Sequence, residues 1–133
     1  MPISANEVID CHMHVATVGD EYPDYGGLSD GFRNSLMFKI CLIYAHIDKK
    51  PEEVTDEDLS EAITGLLVEL KKRKDQSGEG VDKVVCLALD PVYDADGVCR
   101  LDKSELWAAK DFVLALQSND QLKDVVLFGA SVH

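Results

Sequence analysis

In VDKVVCLALD, residues 81–90, every position from Val84 to Leu89 is apolar, with no polar residue on alternate positions. A strand with one wet face alternates, so a short unbroken apolar run predicts a strand covered on both faces, as in a parallel sheet. Pro91 ends it, because proline cannot donate to a sheet ladder. Two further strand-like runs lie on either side. Upstream, the segment from Glu7 to Val15 has period two: Ile9, Cys11, Met13 and Val15 fall on one face, Asp10, His12 and His14 on the other. Downstream, VVLFGASVH, residues 125–133, is the third.

Helical patterns separate these runs. Phe32, Leu36, Ile40, Ile43, Tyr44 and Ile47 form one apolar face of a helix from about Asp30 to His46, and Pro51 interrupts it. A second helix starts at Thr55, where TDED sets a capping hydroxyl three residues before an acid. Its stripe is Leu59, Ala62, Ile63, Leu66, Leu67 and Leu70. Acids at its start and Lys71 to Lys74 at its end suit the helix dipole, and Gly78 and Gly80 stop it. A third helix is predicted from about Ser104 to Gln117, with Leu106, Ala109, Phe112, Val113 and Leu116 inward and Trp107 as a packing residue. The polar stretch GDEYPDYGGLSDG, residues 19–31, reads as a long loop. The order β–loop–α–α–β–loop–α–β predicts an α/β fold of parallel βαβ units with right-handed crossovers.

The 133 residues suffice for one domain with a real core. A net charge of −12 argues against nucleic acid, whose binding rests on Lys and Arg neutralising phosphates, and against anionic membranes. No signal-peptide pattern opens the chain, and no apolar run is long enough to span a bilayer. The four cysteines are widely spaced without a CxxC pair, and Cys11 and Cys86, inside strand-like runs, are expected to be buried thiols. A reducing, cytoplasmic location follows as the expectation.

His12 and His14 are the first candidates for chemistry. Residues two apart in a strand point the same way with Cα atoms about 6.6 Å apart, so two imidazoles can converge on one cation. On a helix the same spacing diverges by about 200°. Asp10 could ligate or accept an imidazole N–H. Sites in parallel α/β folds form at the carboxyl ends of strands, where His12 and His14, Asp90, and Ser131 with His133 all fall. Other motifs fail. Setting Gly97 of DADG at the sixth position of a calcium loop puts Val92 first and Lys103 twelfth, without the required acids. Cys11 and His12, neighbours in a strand, face opposite ways and make no nucleophile–base pair.

VIDCHMHV resembles the first strand of the amidohydrolase superfamily, whose metal-binding barrels open with a D-x-H-x-H signature. VDKVVCLALD and FGASVH resemble the second and third strands of its decarboxylase-like branch, amidohydrolase 2. The likeness runs over nearly the whole chain, loosest from Gly31 to Lys74. It implies the first three strands of an incomplete TIM (β/α)₈ barrel, with His12 and His14 binding a divalent metal, zinc first. Asp10, Asp90, Ser131 and His133 would then be supporting or substrate-pocket residues. The implied activity is metal-dependent hydrolysis of a small organic acid, amide or lactone, or decarboxylation in the same branch. The family's later ligands and catalytic acid have no counterpart here, so this chain is expected to be inactive alone. It should form a homo-oligomer or pair with a missing carboxyl-terminal portion. A non-catalytic remnant that self-associates through its sheet edge is the rival reading, and a small doubly wound domain is a third.

Overall fold

A computed structural model describes residues 6–129. In chain order the strands are β1 (Ile9–His14), β2 (Gly26–Leu28), β3 (Lys83–Leu87), β4 (Leu106–Ala108) and β5 (Val126–Gly129). The helices are α1 (Asp30–Arg33), α2 (Leu36–Tyr44), α3 (Asp56–Ser77) and α4 (Lys110–Ser118). β3 lies between β1 and β5, parallel to both, so the expected parallel order of the three sequence-predicted strands is observed.

The expectation that β3 is covered on both faces is not met. Val84 and Cys86 are buried with Val126, in one cluster with Leu67 of α3 and Phe112, Val113 and Leu116 of α4. The alternate residues Val85 and Leu87, with Leu127 beside them, are only half-buried. Both long connecting helices therefore pack on one face of the sheet. The opposite face is apolar in its residue types, and among the described residues its side chains are only partly covered.

β1 also departs from simple alternation. Ile9 pairs with Lys83 and Asp10 with Val84, but Met13 pairs with Cys86 and His14 with Leu87. One extra residue in β1 is thus absorbed as a bulge, which reverses the facing of everything beyond it. Met13 and Val15 join the helix-covered core, while His14 lies on the half-open face. Asp10, before the bulge, is paired on the Val84 side and does not share the histidine face. Cys11, at the bulge, is exposed, in contrast to the expected buried thiol, whereas Cys86 is fully buried as expected.

The helix expected over residues 30–46 is two. Ser29 Oγ accepts from the Phe32 amide at 3.0 Å and Ser35 Oγ from the Phe38 amide at 3.1 Å, so each serine starts its own helix. α2 turns Phe38 and Leu42 inward and leaves Leu36, Ile40, Ile43 and Tyr44, four of the residues expected inward, exposed. α3 follows its sequence signals closely. Thr55 and Asp58 form the reciprocal capping box, and Gly78 ends the helix in the left-handed region at φ 78°.

The third helix begins later than expected, at Lys110, because Leu106–Ala108 pairs antiparallel with β2 instead. Trp107 is thus a strand residue, and its indole lies against Gly27, where an added Cβ would come within 2.6 Å of the ring. The GG pair read as loop is the platform for this contact.

The loop leaving β1 is held by one side chain. Asp56 is buried, and its carboxylate accepts from the Thr17 hydroxyl and from the amides of Val18 (2.7 Å), Gly19 (2.8 Å), Glu21 (3.0 Å) and Tyr22 (3.1 Å). Burial alone would raise its pKa, but these hydrogen bonds outweigh it and hold the carboxyl below its ordinary value of 3.8. A carboxylate with a lowered folded pKa stabilises the fold fully above its unfolded value, and the stabilisation is lost as pH falls through the folded one. Asp56→Asn presents an amide donor to amide donors and should cost about 2–4 kcal/mol at neutral pH. Urea denaturation from pH 7 down to pH 3 checks this. The variant should start lower and lose less on acidification, and equal midpoints at every pH would contradict it.

Candidate metal centre

The two histidines converge. His12 Nε2 and His14 Nε2 are 3.0 Å apart, with ring centroids 4.8 Å apart and planes nearly perpendicular at 83°. Two nitrogens bound tetrahedrally to zinc at about 2.0–2.1 Å are separated by roughly 3.3 Å, so the pair needs only a few tenths of an ångström to seat one ion. Without a cation the same distance is a hydrogen bond, one ring donating Nε2–H to the lone pair of the other. The spacing thus suits a single proton or a single cation between the rings.

The bulge sits between Asp10 and Met13, and Asp10 Oδ1 accepts from the His12 amide at 3.0 Å, bridging the irregular turn of chain. Asp10 therefore acts on the backbone that carries His12. His14 is the last residue of β1 and pairs with Leu87, the last of β3, which pairs in turn with Gly129, the last of β5. The histidines stand at the carboxyl edge of the sheet, as expected, and both are exposed.

Asp90 shares no cleft with them. Asp90 lines a cleft of about 390 Å³ with Tyr93, Trp107, Lys110 and Phe128, in which neither histidine takes part. Ser131 and His133 lie outside the described residues. Among the described residues no group of three or more His, Cys, Asp or Glu side chains could hold a metal ion. The histidine pair alone offers two nitrogens, fewer than the three or four protein ligands of a zinc site.

Two residues that sequence reasoning passed over shape the surroundings. Asp56 anchors residues 17–22, which begin three positions after His14. Arg33 adds a second clamp, its guanidinium donating to the carbonyls of Pro51 (2.9 Å), Glu52 (3.3 Å) and Val54 (2.9 Å) and to Asp20 (2.9 Å). The TDED signal marked Asp56 only as a helix-start acid, and Arg33 carried no motif.

Burial, with Asp10 adding to it, pushes the Cys86 thiol up to about 11, which removes it as a nucleophile at neutral pH. Asp94 of DADG accepts from the amides of Asp96 (3.0 Å) and Val98 (2.9 Å), a turn that uses the carboxylate internally. No helix among the described residues is long and apolar enough to cross a membrane. Comparison with family models, curated proteins and solved structures finds no match to this chain.

Cys11, Cys41 and Cys99 are exposed, whereas Cys86 is buried. Titration of the native protein with an aromatic disulfide reagent at pH 8 should therefore release three equivalents promptly. The fourth should appear only on denaturation. Four fast equivalents would show that the β3 core opens.

Proposed function

We propose that the chain is the opening part of a metal-dependent hydrolase barrel of the amidohydrolase kind, with His12 and His14 holding a divalent cation, zinc first. The observation that carries this reading is the 3.0 Å approach of the two Nε2 atoms at the carboxyl end of the first parallel strand. Strand order and coverage support it. Three parallel strands in sequence order, with both long helices on one face, match the first turns of a (β/α)₈ barrel better than a doubly wound sheet, which reverses direction and is covered on both sides. On this reading the half-buried face bearing Val85, Leu87, Leu127 and His14 is the barrel interior.

When bound, such a cation supplies Lewis-acid chemistry, polarising a carbonyl and lowering the pKa of a coordinated water to about 7. The chain's own residues would position it. Asp10 holds the His12 backbone, and Asp56 fixes the loop beyond His14. This reading adds Asp90 as a pocket residue, together with Ser131 and His133, which lie outside the described residues. The substrate class is a small organic acid, amide or lactone, cleaved by water or losing its carboxylate. Two imidazoles are fewer than the three or four protein ligands of a zinc site, so this chain alone should bind zinc weakly and turn over little or nothing. A second reading, a non-catalytic module that pairs through its sheet, is favoured by the half-buried apolar face of β3 and β5 and by the exposed Phe128 on the edge strand.

Isothermal calorimetry with zinc tests the first reading. One weak site per chain is expected, weakening as pH falls because imidazoles must be neutral to ligate. It should disappear in the His12→Ala, His14→Ala double variant. Equal binding by both proteins would remove the histidines from the site.

A further inference from the structure

α2 carries a contiguous apolar surface that the fold does not use. Leu36 is 73% exposed, Met37 59%, Ile40 37%, Ile43 72% and Tyr44 83%. Positions 36, 40, 43 and 44 follow one helical stripe, and 37 and 41 extend it sideways. Single exposed apolar residues are ordinary, but five neighbouring large ones on nine residues of helix are not. The helix already buries its other side through Phe38 and Leu42 against Val18, Val54 and Leu59. The exposed side is thus a second apolar face, displayed outward by a helix whose packing needs are met.

We propose that this face is the contact between two copies of the chain, paired antiparallel about a twofold axis near Ile40. The area fits. Complete burial of the exposed parts of these five residues in both copies would remove at most roughly 1,300 Å² from water, which reaches the lower end of what specific interfaces bury. The composition fits as well. From Leu36 to Tyr44 the only charged residue is Lys39, so the patch is depleted of charge as interface cores are, on a molecule whose net charge is −12. A strongly acidic partner surface gains nothing from such a patch, whereas a second copy presents the same uncharged stripe and an oppositely directed helix dipole. The axis falls mid-helix, so the exposed Cys41 of each copy stands beside it.

The acidic bodies of the two copies repel each other at long range, and salt screens that repulsion. Association should therefore strengthen as salt is raised, the reverse of a contact built on ion pairs. This inference rests on α2 alone and is independent of the histidine pair.

Sedimentation velocity on the full chain, across a dilution series at 20 mM and 500 mM NaCl, provides the test. A reversible dimer, tighter at high salt, is expected. An Ile43→Glu, Tyr44→Glu variant, and separately a neutral Leu36→Gln, Met37→Gln variant, should weaken it at least tenfold with unchanged circular dichroism. In a Cys11→Ser, Cys99→Ser background, a short bismaleimide should join two chains through Cys41. A wild-type monomer at about 100 µM in high salt would overturn the proposal. So would a dimer that survives both variants, which would point to the β5 edge, or a sedimenting dimer without a Cys41 crosslink. A monomer that binds neutral phosphatidylcholine vesicles through this face would overturn it in favour of a lipid surface.

Discussion

Buried at the first turn of α3, the carboxylate of Asp56 gathers the Thr17 hydroxyl and four backbone amides of residues 18–22 into one fan of hydrogen bonds. Those amides belong to irregular chain, where no ladder or helix would satisfy them, and leaving buried amide groups unpaired costs far more than any one bond gains. By filling both oxygens from one loop, Asp56 links the end of β1 to the longest helix. Val18, whose amide donates to this carboxylate, belongs to the second apolar cluster with Phe38, Leu42, Val54 and Leu59. Arg33 repeats the device from the other side by donating to three carbonyls just before α3 and to Asp20 in the same loop.

The consequence for the histidines is positional. His12 and His14 sit on the strand whose continuation is clamped, so the backbone that carries them is held on both sides. The Asp10–His12 bridge and the β3 ladder fix the start, and the Asp56 fan fixes the segment beyond Val15. Exposure of both rings leaves room for the further ligands a metal would need. The half-buried face of Val85, Leu87 and Leu127 leaves room for a further layer of structure beside them.

Much of this architecture was legible in the residues. Unbroken or alternating apolar runs marked β1, β3 and β5, and their separation by helices gave the parallel order. Thr55 and Gly78 marked both ends of α3, because cap chemistry is local. What could not be read had a common cause in tertiary choice. A bulge is invisible to alternation counting, which assumes that no residue is extra, so Asp10 was assigned to the histidine face and Cys11 to the core. α2 is apolar except for Lys39, and periodicity alone could not tell that Phe38 and Leu42 turn inward while Leu36 and Tyr44 do not. Gly26 and Gly27 read as loop because their role is to admit the Trp107 strand, a contact distant in sequence. Asp56 looked like any acid at a helix start.

Zinc K-edge X-ray absorption on the zinc-loaded chain reads the histidine centre at the level of bonds. Two imidazole scatterers at about 2.0–2.1 Å, with the remaining positions filled by light oxygen donors, are the signature expected of a cation seated between His12 and His14. A spectrum with at most one imidazole, or one unchanged when both histidines are replaced by alanine, would contradict the metal-centre account.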